Sequence, residues 1–462
     1  MSEQPAQASN QTAADDQLKA LNDASPVGRM FGYVRLMGPG YLQSAMTLGG
    51  GTAFASIFAG AAFGYQLIWV APLSMLLGII VLAAVSHQTL STGKDPFHAM
   101  REYAGGFFAY GWAISAVLSS IIWQLAQYAL ASAMLAALAR SAGWDTPDWV
   151  MGLIALAWCI VVALLYGSTS KLVRVYENLL KAMVWFIILC FGYVVFKTGI
   201  PEPGKLLAGF VPSIPEQNQD VKGITLVVSG LAAAVGVNML FVYPYSLRKR
   251  GWGRAHRRLA HLDLIFGMFV PYAIAASLML IAAASVFHFG EPDLFEGRGI
   301  SPVQAASVLA DPERLGPVAG LWIFGLGIVA MALSSITMQM VCSGFACSQM
   351  FGWKQGSAKY FVGMMLPAIG VLGSVFWSEM RLWVAVPTNV ICGLFMPLAY
   401  IGFIRLQRNR KYLGDDRPGG LLGNAWTLGM VIATVVLIVF LVKVGISDGP
   451  GFIDGIKQKL GS

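Results

Sequence analysis

Leu48-Gly49-Gly50-Gly51-Thr52 sets three consecutive glycines inside an apolar stretch otherwise suited to a helix. A glycine in a helix interior costs roughly 1 kcal/mol against alanine, so the run predicts a break. Backbone N–H and C=O groups would be released there beside a threonine hydroxyl. A second interruption, Gly236-Val237-Asn238-Met239, brings a side-chain amide and a thioether into another apolar stretch. Further polar residues fall in apolar surroundings: Gln124 and Gln127 one helical turn apart, the adjacent hydroxyls of Ser334 and Ser335, and Asn389 within Pro387-Thr388-Asn389. Irregular backbone at membrane depth is tolerated only where protein or a water-filled cavity covers it, and such breaks supply groups that bind an ion. The sequence has no phosphate-loop pattern, metalloprotease histidine pair or nucleophile with a base, so neither an enzyme nor a cofactor is expected.

The elements that must position these groups follow from composition. The 462 residues are 56% hydrophobic and 12% charged, with a mean hydropathy of +0.65, more apolar surface than a soluble core can hide. Uncharged stretches of bilayer-spanning length predict an all-α polytopic membrane protein of about eleven helices. They lie near 36–64, 66–91, 108–139, 149–166, 179–198, 224–247, 259–288, 317–345, 357–377, 382–405 and 425–446. Residues 1–28 read as a disordered cytoplasmic tail. Arg248, Lys249, Arg250, Arg254, Arg257 and Arg258 follow the sixth span, and Arg405, Arg408, Arg410 and Lys411 the tenth, whereas Glu291, Asp293, Glu296, Asp311 and Glu313 fall on the other side. The positive-inside rule then puts the amino terminus in the cytoplasm and, after an odd number of spans, the carboxyl terminus outside. These loops account for the net charge of +8, so the partner is a lipid bilayer and not nucleic acid. Cys159, Cys190, Cys342, Cys347 and Cys392 all fall within spans and read as packing. His87 at the end of the second span and the Tyr243-Pro244-Tyr245 kink read as interfacial residues.

Gly38-Pro39-Gly40 with the glycine break behind it, Phe63-Gly64-Tyr65-Gln66-Leu67-Ile68-Trp69-Val70, Tyr166-Gly167-Ser168 and Ala332-Leu333-Ser334-Ser335 together resemble the Nramp metal-ion transporter family. The resemblance covers nearly all the chain except the tail and points to a divergent bacterial-type branch, in the inner (plasma) membrane. It implies the amino acid and sodium symporter superfold, with inverted repeats over 29–198 and 199–410. An eleventh helix and a short tail follow at 411–462. It further implies alternating access, with the substrate held between broken first and sixth helices. The family's Asp-Pro-Gly-Asn is replaced by Gly49, Gly50, Gly51 and Thr52, and its Met-Pro-His by Val237, Asn238 and Met239. The acids of its presumed proton route are replaced by Gln124 and Gln127.

These departures set the expected cargo. A bare dication in low dielectric ordinarily requires a carboxylate, and none falls in the first, sixth, eighth or tenth span. Backbone N–H groups at two half-helix amino termini, with Thr52 and Asn238, suit a small monovalent oxyanion, bicarbonate before nitrate or phosphate. The alternative is a divalent cation, manganese or magnesium, in a carboxylate-free site of carbonyls, Thr52 and Asn238. Ser334 and Ser335 are candidates for a coupling sodium, with proton coupling as the competitor. Gln124, Gln127 and Asn389 are candidates for the pathway.

Overall fold

The computed structural model describes residues 4–23, 25–166, 170–290, 292–295, 302–311, 316, 318–376 and 385–460. Gly167 and Ser168 of the fourth-to-fifth connection and the loop acids Glu291, Glu296 and Glu313 lie outside the described residues. Among those described, ten helices are long and apolar enough to cross a membrane, and a bent pair supplies the eleventh span. That pair is the first span. Pro39–Thr47 and Gly50–Phe63 meet at a 56° bend, at the glycine run. The sixth span is interrupted between Gly223–Ala234 and Met239–Lys249, where residues 235–238 leave the helix. Where the first span must stop, Gly64 takes φ +59°, a left-handed region that favours a residue without Cβ.

Burial separates the centre from the periphery. Within its most apolar window the sixth span is 94% buried, the third 78% and the eighth 72%, against 33% for the eleventh, so the two breaks lie in the middle of the bundle. The apolar residues exposed on outer spans, such as Leu189, Val161 and Val435, form a surface suited to lipid. The five cysteines are buried and free.

The basic residues after the sixth span gather at one end of the bundle. Arg248 pairs with Asp95, Arg250 with Glu177, and Arg254 and Arg257 with Asp416 at 2.7 and 3.0 Å. Residues 4–22, expected to be disordered, form a helix, Gln4–Asn22, against this end. The segment has no apolar run, but Ala14 and Leu18, four residues apart, share one helix face and are both buried. His256 Nε2 lies 3.2 Å from the Ala14 carbonyl. Tyr243, expected at the interface, is fully buried instead, because its hydroxyl donates to the Ala260 carbonyl at 2.9 Å. His87 is half-buried at the same end, 2.9 Å from the Asp416 carbonyl.

Candidate functional site

The breaks of the first and sixth spans, with the third, eighth and tenth spans, enclose a cavity of about 20 Å³. That is room for about one water or one bare ion. Of the residues anticipated from sequence, Gly49, Gly51, Thr52, Gln127, Asn238, Met239, Ser335 and Asn389 line it. Gly50 adjoins it, its N–H donating to Gln127 Oε1 at 2.8 Å. Val237 does not line it; its carbonyl accepts the Trp112 indole N–H at 3.2 Å. Ser334 and Gln124 also stand outside. The Ser334 hydroxyl donates to the Ala45 carbonyl at 3.1 Å, and Gln124 Nε2 to the Ile336 carbonyl at 3.1 Å.

The hydrogen-bond polarity of the site can be read without ambiguity, because most partners can act in only one sense. Asn389 Oδ1 accepts the Trp123 indole N–H at 2.9 Å, and its Nδ2 donates to the Gly51 carbonyl at 3.0 Å and to Ser229 Oγ at 2.9 Å. The Thr52 hydroxyl donates to the Thr47 carbonyl at 2.6 Å. Thr47 Oγ1 lies 2.8 and 2.9 Å from the Ala233 and Ala234 carbonyls, and the Ser335 hydroxyl donates to the Met46 carbonyl at 3.0 Å. Each hydroxyl therefore spends its proton on a carbonyl freed by a helix break. What remains on it is lone pairs. The glycines are needed for closeness: a Cβ at Gly49 would lie 2.6 Å from both Gln127 Nε2 and Ser335 Oγ, and one at Gly51 would collide with Asn389 Oδ1.

Sequence reasoning missed two parts of this arrangement, Thr47 with Gln339 and Asp263. Thr47 and Gln339 line the cavity without having been singled out, although Gln339 lies one turn beyond Ser335 on the same helix. Met239, anticipated from sequence, begins the second half-helix, and its sulfur accepts the Gly236 N–H at 3.2 Å. Asp263, a fully buried carboxylate in the seventh span, accepts the N–H groups of Gly38 at 2.9 Å and Gly40 at 2.6 Å. It holds the start of the first span at the basic end. An ionisable residue inside an apolar span was the signal available for it.

Two broken helices meeting at a small polar cavity in the centre of an all-α membrane bundle are the arrangement of the inverted-repeat symporter fold. The fold agrees with solved structures. A manganese transporter from Eremococcus coleocola superposes with a TM-score of 0.68 at 15% identity, covering 92% of this chain and 90% of that one. MhsT in complex with L-phenylalanine superposes with a TM-score of 0.56 at 16% identity, covering 87% and 97%. Residues 40–443 match the Natural resistance-associated macrophage protein-like family, and the chain belongs to that family, a family of transport proteins rather than enzymes. Relatives similar over most of their length include two divalent metal cation transporters. That of Brucella suis biovar 1 is 26% identical over 420 residues, 87% of this chain and 86% of the relative. That of Pseudomonas aeruginosa is 26% identical over 434 residues, 90% and 93%.

These relatives overturn the expectation of an oxyanion, bicarbonate included. The geometry supplies the physical reason. Among the donors that an anion would need, the amides of Gly50, Gly236 and Met239 are already bonded to Gln127 Oε1, Met239 Sδ and the Gly236 carbonyl, which leaves the Asn238 side-chain NH₂. The carbonyl ends of the other two half-helices, at Met46, Thr47 and Ala233, line the same cavity. Opposed helix ends offset each other's partial charges, so the junction lacks the positive field of a lone amino terminus.

Proposed function

We propose that this protein carries a divalent metal cation, manganese in the first place, by alternating access through the cavity between the first and sixth spans. One observation carries this reading. The hydroxyls of Thr47 and Thr52 donate to backbone carbonyls, so the oxygens they offer the cavity are acceptors. Asn238 Oδ1 also acts as an acceptor beside the cavity, taking the Met239 N–H that donates in addition to the Gly236 carbonyl. Met239 supplies a soft sulfur that manganese accepts and magnesium does not favour. The cavity's small size acts in the same sense, since magnesium sheds its water reluctantly.

Without a carboxylate, binding is weak and exchange is fast. A dication entering a cell that is negative inside gains about 4.6 kcal/mol per 100 mV, so a coupled sodium or proton would add to the driving force without having to supply it. The basic end, with the amino-terminal helix, faces the cytoplasm in this reading. The test is uptake of radioactive manganese into proteoliposomes under an inside-negative potential, with magnesium as competitor and with and without sodium or pH gradients. Uptake no faster than in protein-free vesicles refutes the reading.

A further inference from the structure

Two buried side-chain atoms of residues lining the cavity have no hydrogen-bond partner, Asn238 Nδ2 and Gln339 Oε1. Gln339 is the more constrained. Its side chain is 2% exposed, and its Nε2 donates to Ser335 Oγ at 3.1 Å. Ser335 has already spent its proton on the Met46 carbonyl, so its oxygen can only accept, both from Gln339 and from Gln127 Nε2 at 3.3 Å. Gln127 is locked in turn by the Gly50 N–H, which can only donate to its Oε1. Reversing the Gln339 amide would set its carbonyl against an oxygen with no proton between them. The chain Met46, Ser335, Gln339 therefore dictates that a buried carbonyl oxygen of a residue lining the cavity is left without a donor. A dry, unpaired carbonyl is unfavourable unless something electropositive comes to it.

We infer that Gln339 Oε1 is a direct ligand of the transported metal ion, a neutral hard oxygen on the eighth span at a site that has no carboxylate. The inference rests on the divalent-cation reading above. Amide carbonyls are ordinary ligands of hard divalent ions, and a neutral one binds without trapping the ion. Gln339 would thereby tie the eighth span to the two breaks whenever cargo is present, and so help set both affinity and selectivity.

The experiment is titration of the purified full chain with manganese, read by the electron paramagnetic resonance signal of free and bound ion, for wild type, Gln339→Leu and Gln339→Glu. Gln339→Leu removes the oxygen and should raise the Kd roughly tenfold. Gln339→Glu keeps the shape and adds charge; it should lower the Kd roughly tenfold and make binding fall on acidification as the new carboxylate protonates. Where Gln339→Leu does not fold, the isosteric Gln339→Glu decides. If wild type binds manganese and the folded variants stay within about twofold of it, without the new pH dependence, the ligand role is overturned and the transport reading stands. If wild type neither binds nor takes up manganese, the transport reading itself falls.

Discussion

Replacing Asp263 by asparagine probes how the basic end is held shut. The carboxylate accepts two backbone N–H groups, Gly38 at 2.9 Å and Gly40 at 2.6 Å, and so caps the first half-helix from the seventh span. Asparagine has one oxygen for those two donors and sets its own NH₂ against the other. The change removes one charge-assisted hydrogen bond and orphans a buried N–H, a loss of about 1.5–3 kcal/mol. If the first half-helix swings away when this end opens, the closed-to-open ratio falls roughly 10- to 150-fold. The native Cys342 reports it, being fully buried with its sulfur 3.4 Å from the Asn238 carbonyl beside the cavity. Labelling of Cys342 by a small thiol reagent, followed by mass spectrometry, should accelerate by that factor in Asp263→Asn. An unchanged labelling rate in a variant that melts at the wild-type temperature would refute the assignment of Asp263 as the latch.

Gly49→Ala puts a methyl group 2.6 Å from Gln127 Nε2 and Ser335 Oγ; overpacking of about 1–3 kcal/mol should lower the melting temperature and manganese uptake together. Trp123→Phe keeps an aromatic ring but removes the donor that fixes Asn389 Oδ1, and should raise the manganese Kd about fivefold, measured by the same resonance titration. At the basic end, burial pushes the Asp416 carboxyl up, but the hydrogen bond and charge of Arg257, together with Arg254, outweigh it and hold the group below the usual Asp range. A lowered folded value means that this contribution to stability is complete above the ordinary carboxylate range, near about 4, and is lost as pH falls through the folded value. The melting temperature should fall in that acid window in wild type, and Asp416→Asn should flatten that part of the profile.

Much of the architecture was legible because the bilayer imposes simple rules. Long apolar runs must be helices, and a triple glycine inside one must break it, which located the bend at Gly49 to within a residue. The amino-terminal helix was not legible, because Ala14 and Leu18 make a stripe too short to register until the residues around His256 are there to receive it. Tyr243 failed for a related reason, since a tyrosine near a span end reads as interfacial until the Ala260 carbonyl appears beside its hydroxyl.

The sign of the cargo's charge shows where sequence reasoning ends. Residue types alone determined that the centre would be neutral and polar, with Thr52, Asn238, Ser335 and Asn389 in it and no acid. A neutral hydroxyl or amide can serve either an anion or a cation, and which one depends on where its protons go. Only the tertiary structure fixes where those protons go, by setting the freed carbonyls of Met46, Thr47 and Ala233 against the hydroxyls of Ser335, Thr52 and Thr47; the divalent-cation reading proposed above rests on the lone pairs this leaves on Thr52 and Thr47. Hydrogen-bond direction is a property of pairs brought together from distant spans, so no single stretch of chain contains it.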